Sequence, residues 1–125
     1  MGDPRHDLGL AAEGAAAAWL TRIGWTVLAR RVRSTAGGEV DLIALDPGGV
    51  LVGLEIRARR TSRAGTGMES IDARRVARMS RTLAAFAAST GPTHRGLRVD
   101  VVCVAPEPGV SGRWRVRRLP DVGSG

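Results

Sequence analysis

The chain has 125 residues, 43% of them hydrophobic, and sets 19 basic against 12 acidic side chains for a net charge of +7. That length admits one domain with a core and excludes two. No run approaches the roughly 18 apolar residues that cross a bilayer, the start Met-Gly-Asp-Pro-Arg-His-Asp carries no secretory pattern, and the single Cys103 forms no internal disulfide; the expectation is a cytoplasmic protein with no membrane contact.

In chain order, the first element is a helix from about Asp7 to Ile23, where Leu8, Ala12, Ala15, Trp19 and Ile23 recur at helical spacing, with Asp7 as its cap and Gly24 as its stop. Residues Trp25 to Arg33 mix apolar, β-branched and arginine side chains and read as an outer strand. Glu39 to Leu45 and Val50 to Ala58 are apolar strands joined by Asp46-Pro47-Gly48-Gly49, which makes them a hairpin. Arg59 to Gly67 has no periodicity and reads as a loop. A second helix runs from Asp72 to about Ser89, with Val76, Met79, Leu83 and Phe86 on one face, and stops at Gly91-Pro92. Two strands close the chain, Leu97 to Val104 and Arg113 to Leu119, joined by a stretch rich in proline and glycine. The order α-β-β-β-α-β-β predicts an α/β fold, a mixed β-sheet flanked by helices. Residues 1–6 and 121–125 are expected to be disordered ends of this single domain.

Side chains alternate across a strand, so Glu39, Asp41 and Ile43 are expected on one face and Gly53, Glu55 and Arg57 on one face of the next strand. With a three-residue turn at Pro47, Gly48 and Gly49, Asp46 pairs with Val50, Asp41 stands opposite Glu55, and Glu39 stands opposite Arg57. Opposed side chains have Cβ atoms roughly 5 Å apart, where two carboxylates repel unless something compensates. A divalent cation such as Mg²⁺ or Mn²⁺ is one compensation: it takes hard oxygen ligands, polarises a phosphodiester and lowers the pKa of an attacking water. A cation two residues past Glu55 would then face developing phosphate charge. Neighbouring arginines are the other compensation, with Glu39 and Arg57 as an ion pair and no metal at all.

Gly38-Glu39-Val40-Asp41-Leu42-Ile43-Ala44 and Leu54-Glu55-Ile56-Arg57-Ala58-Arg59-Arg60 resemble the Gly-Glu-Ile-Asp-Leu-Ile-Ala and Phe-Val-Glu-Val-Lys-Thr-Arg signatures of the YraN family. That small bacterial family is assigned to the PD-(D/E)xK, restriction-endonuclease-like superfamily and is related to archaeal Holliday-junction resolvases. The resemblance extends over most of the chain: Gly9 to Leu20 is similar to the family's first helix, Glu69 to Met79 to its second, and Arg98-Val99-Asp100-Val101-Val102 to a later strand. It implies that Asp41 and Glu55 are metal ligands, that Glu13 joins them from the first helix, and that Glu39 stands behind them in a supporting role. Arg57 occupies the position of the catalytic lysine. Arginine neutralises phosphate but stays protonated far above neutral pH and accepts no proton, and its planar fork is wider than an ammonium. The exchange fits a chain with no lysine, asparagine, glutamine or tyrosine, residues with AT-rich codons, and the family's helix lysine is likewise Arg75 here. Gly53 stands where the family carries a bulkier apolar residue, which implies a looser strand.

The excess charge favours a polyanionic partner, because cations bound to phosphates release condensed counterions. Arg57, Arg59, Arg60 and Arg63, with Arg74, Arg75, Arg78 and Arg81, are expected to form a phosphate-tracking surface, although Arg78 and Arg81 read better as an ordinary solvated helix face. One phenylalanine, three tryptophans and no tyrosine make no stacking platform, so backbone recognition is favoured over base reading. His6 and His94 have no ligand-spaced companions, and Cys103, in a valine-rich strand, belongs to the core. Two main readings follow, with an interaction protein that uses the sheet edge as a lesser third. The chain is a metal-dependent endonuclease acting on DNA, branched or damaged, with RNA also admitted; or it is a nucleic-acid-binding module whose cutting was lost with Arg57. The oligomeric state is left open, a dimer included.

Overall fold

The structure, a computed structural model, describes residues 4–35, 37–59 and 71–122. Its elements are α1 (Pro4–Arg22), β1 (Thr26–Arg33), β2 (Glu39–Leu45), β3 (Leu51–Ala58), α2 (Ala73–Thr90), β4 (Leu97–Pro106) and β5 (Trp114–Leu119), the expected order. One five-stranded sheet runs β1-β2-β3-β4-β5, with β3 and β4 parallel and every other pair antiparallel. The crossover that parallel pairing needs is α2.

One helix covers each face of the sheet. Ala12, Ala16, Ala17 and Leu20 of α1 pack on Leu42, Ala44, Val52, Leu54, Val102 and Val104. On the opposite face Val76, Met79 and Leu83 of α2 pack on Val40, Ile43, Leu51 and Val99. Strands β3 and β4, buried on both sides, are accordingly near-continuous apolar runs. Cys103 is buried in β4.

Two sequence expectations are corrected in α1. The helix starts at Pro4, whose fixed φ suits a first turn, and Asp7 lies within that turn rather than capping it. Its buried face is Ala12, Ala16, Ala17 and Leu20, and Ile23 is 44% exposed. Six alanines between residues 11 and 18 present an apolar surface in nearly every direction, so the pattern fixes the helix but not its rotation. Gly24 stops it as expected, at φ +95°. In α2 the expected face is the buried one, Asp72 caps the N-terminus by accepting from the Arg74 N–H, and Gly91 closes the C-terminus in the left-handed conformation.

The hairpin register follows from Asp46. Its N–H donates to the Val50 carbonyl at 2.9 Å, and its Oδ1 accepts from the N–H groups of Gly48 (2.9 Å) and Val50 (3.0 Å). Burial would raise the Asp46 pKa, but those two N–H groups and Arg98 outweigh it and hold the carboxyl below its usual range. From that turn the strands pair Leu45 with Leu51, Ala44 with Val52, Ile43 with Gly53 and Leu42 with Leu54.

Candidate functional site

The ladder between β2 and β3 ends at Leu42 and Leu54. Beyond it, β2 stays paired with β1 as far as Glu39 opposite Arg33, and β3 stays paired with β4 as far as Ala58 opposite Val104. The hairpin therefore forks at the position where Asp41 and Glu55 would have faced each other. In the gap, Asp41 Oδ2 accepts the N–H of Ile56 at 2.8 Å. A side-chain oxygen takes the place of a backbone partner that the strand has lost.

Three of the predicted acids are brought together here. Asp41 feels Glu55 and Glu13 electrostatically: burial pushes its carboxyl above the ordinary range and the two neighbouring carboxylates add to that, while the Ile56 N–H and Arg75 oppose it. Glu13 and Glu55 are themselves buried. A cleft of about 380 Å³ opens beside them, lined among others by His6, Glu13, Arg31, Glu39, Asp41 and Ile56. Glu55 does not line it. Its Oε1 accepts from Arg75 Nε, and its Oε2 lies 3.5 Å from Arg57 Nε. Oε2 is also a buried side-chain oxygen with no hydrogen bond. Among the described residues no three His, Cys, Asp or Glu side chains are grouped so as to hold a metal ion.

The expected pair of Glu39 with Arg57 does not form. Glu39 Oε2 lies 3.7 Å from Arg33 Nε on β1, and the nearest acid to Arg57 is Glu55 on its own strand. The fork is the reason, since beyond Leu42 the two strands no longer run side by side. Gly53 is not a loose point either. A Cβ there would meet Val40 Cγ1 at 3.3 Å and Leu83 Cδ2 at 3.6 Å, so neighbouring side chains already fill the space.

Three site features were not legible in the sequence. Arg31 stands level with Asp41, between the pairs Arg30–Leu42 and Val32–Val40, and its Nε is 3.4 Å from Glu13 Oε1. Its φ of +50° is a conformation that a non-glycine residue rarely adopts inside a strand. His6, isolated in sequence, reaches the cleft because α1 runs back to Pro4. Gly38 is required by close approach: a Cβ there would sit 2.7 Å from the Arg78 carbonyl oxygen of α2. Of the expected phosphate-tracking arginines, Arg75 reaches the site, Arg74 is exposed at the start of α2, and Arg78 and Arg81 are exposed along it. Arg59 extends the β3–β4 pairing through its N–H to the Val104 carbonyl at 2.9 Å. Arg60 and Arg63 lie outside the described residues.

No helix among the described residues is long and apolar enough to cross a membrane. Residues 12–104, the span from α1 through β4 that includes every acid of the site, match the model of the uncharacterised protein family UPF0102. The chain is 44% identical over 114 residues to a UPF0102 protein of Symbiobacterium thermophilum, covering 91% of this chain and 93% of that one. It is 38% identical over 100 residues to a UPF0102 protein of Moorella thermoacetica, covering 80% and 82%. With one from Leifsonia xyli it shares 32% identity over 124 residues, covering 94% and 97%. The forked hairpin and its acids thus lie within the matched region, and the chain belongs to the UPF0102 family, the YraN family of the PD-(D/E)xK superfamily.

Proposed function

We propose that this protein binds DNA through its arginine-rich surface and is a metal-dependent endonuclease acting at Asp41 and Glu55. The observation that carries this reading is the fork, which leaves a raised-pKa acid, Asp41, beside a buried carboxylate oxygen of Glu55 that has no hydrogen bond. Both features are costs that a hard divalent cation would relieve, so the donor set fits Mg²⁺ or Mn²⁺. Asp41 and Glu55 would hold it, Glu13 would join as a third acid on leaving Arg31, and its contribution would be Lewis acidity toward the phosphodiester. The chain's own residues supply the rest. The Ile56 N–H fixes the Asp41 carboxylate, and Arg57, 19% exposed, stands ready to neutralise phosphate charge. Arg59, Arg60, Arg63, Arg74 and Arg75 would track the backbone of the nucleic acid.

A specific observation favours a second reading, a nucleic-acid-binding module that no longer cuts. Arg57 cannot take a proton, and together with Arg75 it already neutralises Glu55. One comparison separates the two: nicking of supercoiled and branched DNA in Mg²⁺ or Mn²⁺ by wild type, Asp41→Ala and Arg57→Lys. The endonuclease reading expects wild-type nicking that Asp41→Ala abolishes, and Arg57→Lys at least as active. Salt-sensitive binding with no nicking by wild type, rescued in Arg57→Lys, would establish the second reading in its place.

A further inference from the structure

The start of α2 carries charge where helix electrostatics disfavour it. Its first turn holds Arg74 and Arg75 and no acid, so two guanidiniums stand at the positive end of the helix against the single carboxylate of its N-cap, Asp72. Arg75 is kept there by Glu55, whose Oε1 accepts from its Nε. The surrounding acids are treated alike: Glu13 is held by Arg31 at 3.4 Å and Glu39 by Arg33 at 3.7 Å. Asp41, between them, has a backbone N–H instead.

We propose that Arg75 is a counter-ion that closes Glu55 to divalent cations until the phosphodiester backbone of DNA draws it away, so that polyanion and cation bind this site cooperatively. This rests on the reading of Glu55 as a cation ligand. The two partners differ in freedom: the Glu55 side chain is 9% exposed and that of Arg75 is 43% exposed, so the arginine is the one that can turn outward. A divalent cation arriving with Arg75 in place would meet a guanidinium already on Glu55, and like charges at such range oppose binding. Phosphates reverse the balance, because Arg74 and Arg75 are neighbours at the start of α2 and arginine–phosphate hydrogen bonds are among the strong ones. Once Arg75 has moved to phosphate, Glu55 Oε1 is released and Arg57 is the one cation left beside Oε2 among the described contacts. Linkage requires the converse with the same factor: the cation must tighten polyanion binding.

The test is Mn²⁺ affinity, read from the paramagnetic resonance of the free ion, at constant ionic strength, without DNA and with a saturating short duplex. Wild type, Arg75→Met, Arg75→Gln and Glu55→Gln are compared, with circular dichroism to verify the fold of each. Without DNA, both Arg75 variants should bind Mn²⁺ about tenfold more tightly than wild type, and duplex should tighten wild type by a similar factor while changing the variants little. Glu55→Gln should bind weakly throughout. Arg75 variants no tighter than wild type without DNA would overturn the proposal, whether or not the protein nicks DNA. Duplex that binds wild type but leaves its Mn²⁺ affinity unchanged would overturn it equally. Intact coupling without nicking would remove only the endonuclease reading, and failure of duplex to bind would overturn both the DNA partner and the coupling.

Discussion

Asp41 carries a cost to the folded chain when it is ionised. Burial and the carboxylates of Glu55 and Glu13 raise its pKa, so the folded protein holds that proton more tightly than the unfolded chain does. The stability tied to this group is then fully present below the unfolded carboxylate pKa and is lost as pH rises through the folded value. Asparagine at the same position keeps an oxygen for the Ile56 N–H and removes the charge. Asp41→Asn should therefore raise the melting temperature by a few degrees at pH 7, a gain that shrinks as pH falls through the carboxylate range, while any nicking disappears. Thermal melts from pH 4 to pH 8 check this, and an unchanged or lower melting temperature at pH 7 would refute it. Arg57 and Arg75 were legible as cations from the sequence, as Asp41 was as an acid; what they contact was not. The expectation assigned Arg57 to Glu39 by extending a regular ladder, and the ladder stops short of both.

At the scale of elements, β2 and α2 touch backbone to backbone at Gly38, ahead of the two acids of β2. The Arg78 carbonyl would lie 2.7 Å from a Cβ placed there, too close for any side chain unless one element shifts. Gly38→Ala should cost about 1–3 kcal/mol in urea denaturation, the usual size of an overpacking strain, and should lower affinity for any ligand of the Asp41 cleft because β2 is displaced where it enters the site. A cost within about 0.5 kcal/mol, the range of a neutral surface change, would show that α2 yields instead. The sequence motif contains this glycine next to Glu39, yet its reason is tertiary: nothing local distinguishes a glycine needed for a turn from one needed for a passing helix. Element order and the hairpin register were readable because they follow from local signals, the periodicity of α2 and the turn at Asp46. The rotation of α1 was not, since its alanines mark no single face.

Across the whole molecule, a buried acid ties the late strands to the early ones. Asp100, with no exposed surface, accepts from Arg98 Nε (2.9 Å) and the Asp121 N–H (2.8 Å) at Oδ1, and from Arg98 Nη2 (3.0 Å) and Arg118 Nη1 (2.9 Å) at Oδ2. Arg98 also reaches Asp46 in the hairpin turn at 3.0 Å, and both guanidiniums lie over Trp25, at 6.0 Å and 5.2 Å from its ring centre. The network thus joins the hairpin turn, the link between α1 and β1, β4, β5 and the segment after β5. Removing its acid takes from Arg118 the carboxylate it donates to and leaves Arg98 with Asp46 alone, so Asp100→Ala should cost about 3–5 kcal/mol by chemical denaturation. A loss under about 1 kcal/mol would mean that solvent compensates the arginines. The acid was visible in the sequence only as part of a strand pattern, because its partners are brought to it by pairing that no local signal records.

The fork in the hairpin has a spectroscopic consequence. Along β3 the amides up to Leu54 face regular strand partners, but the Ile56 amide is shielded by one carboxylate oxygen of Asp41. Its exchange with solvent deuterium therefore follows what happens to that carboxylate, whether it gains a proton, turns toward a cation or is replaced by another side chain. A single backbone amide becomes a built-in gauge of the acid at the centre of the site, readable in the intact protein with no substrate present.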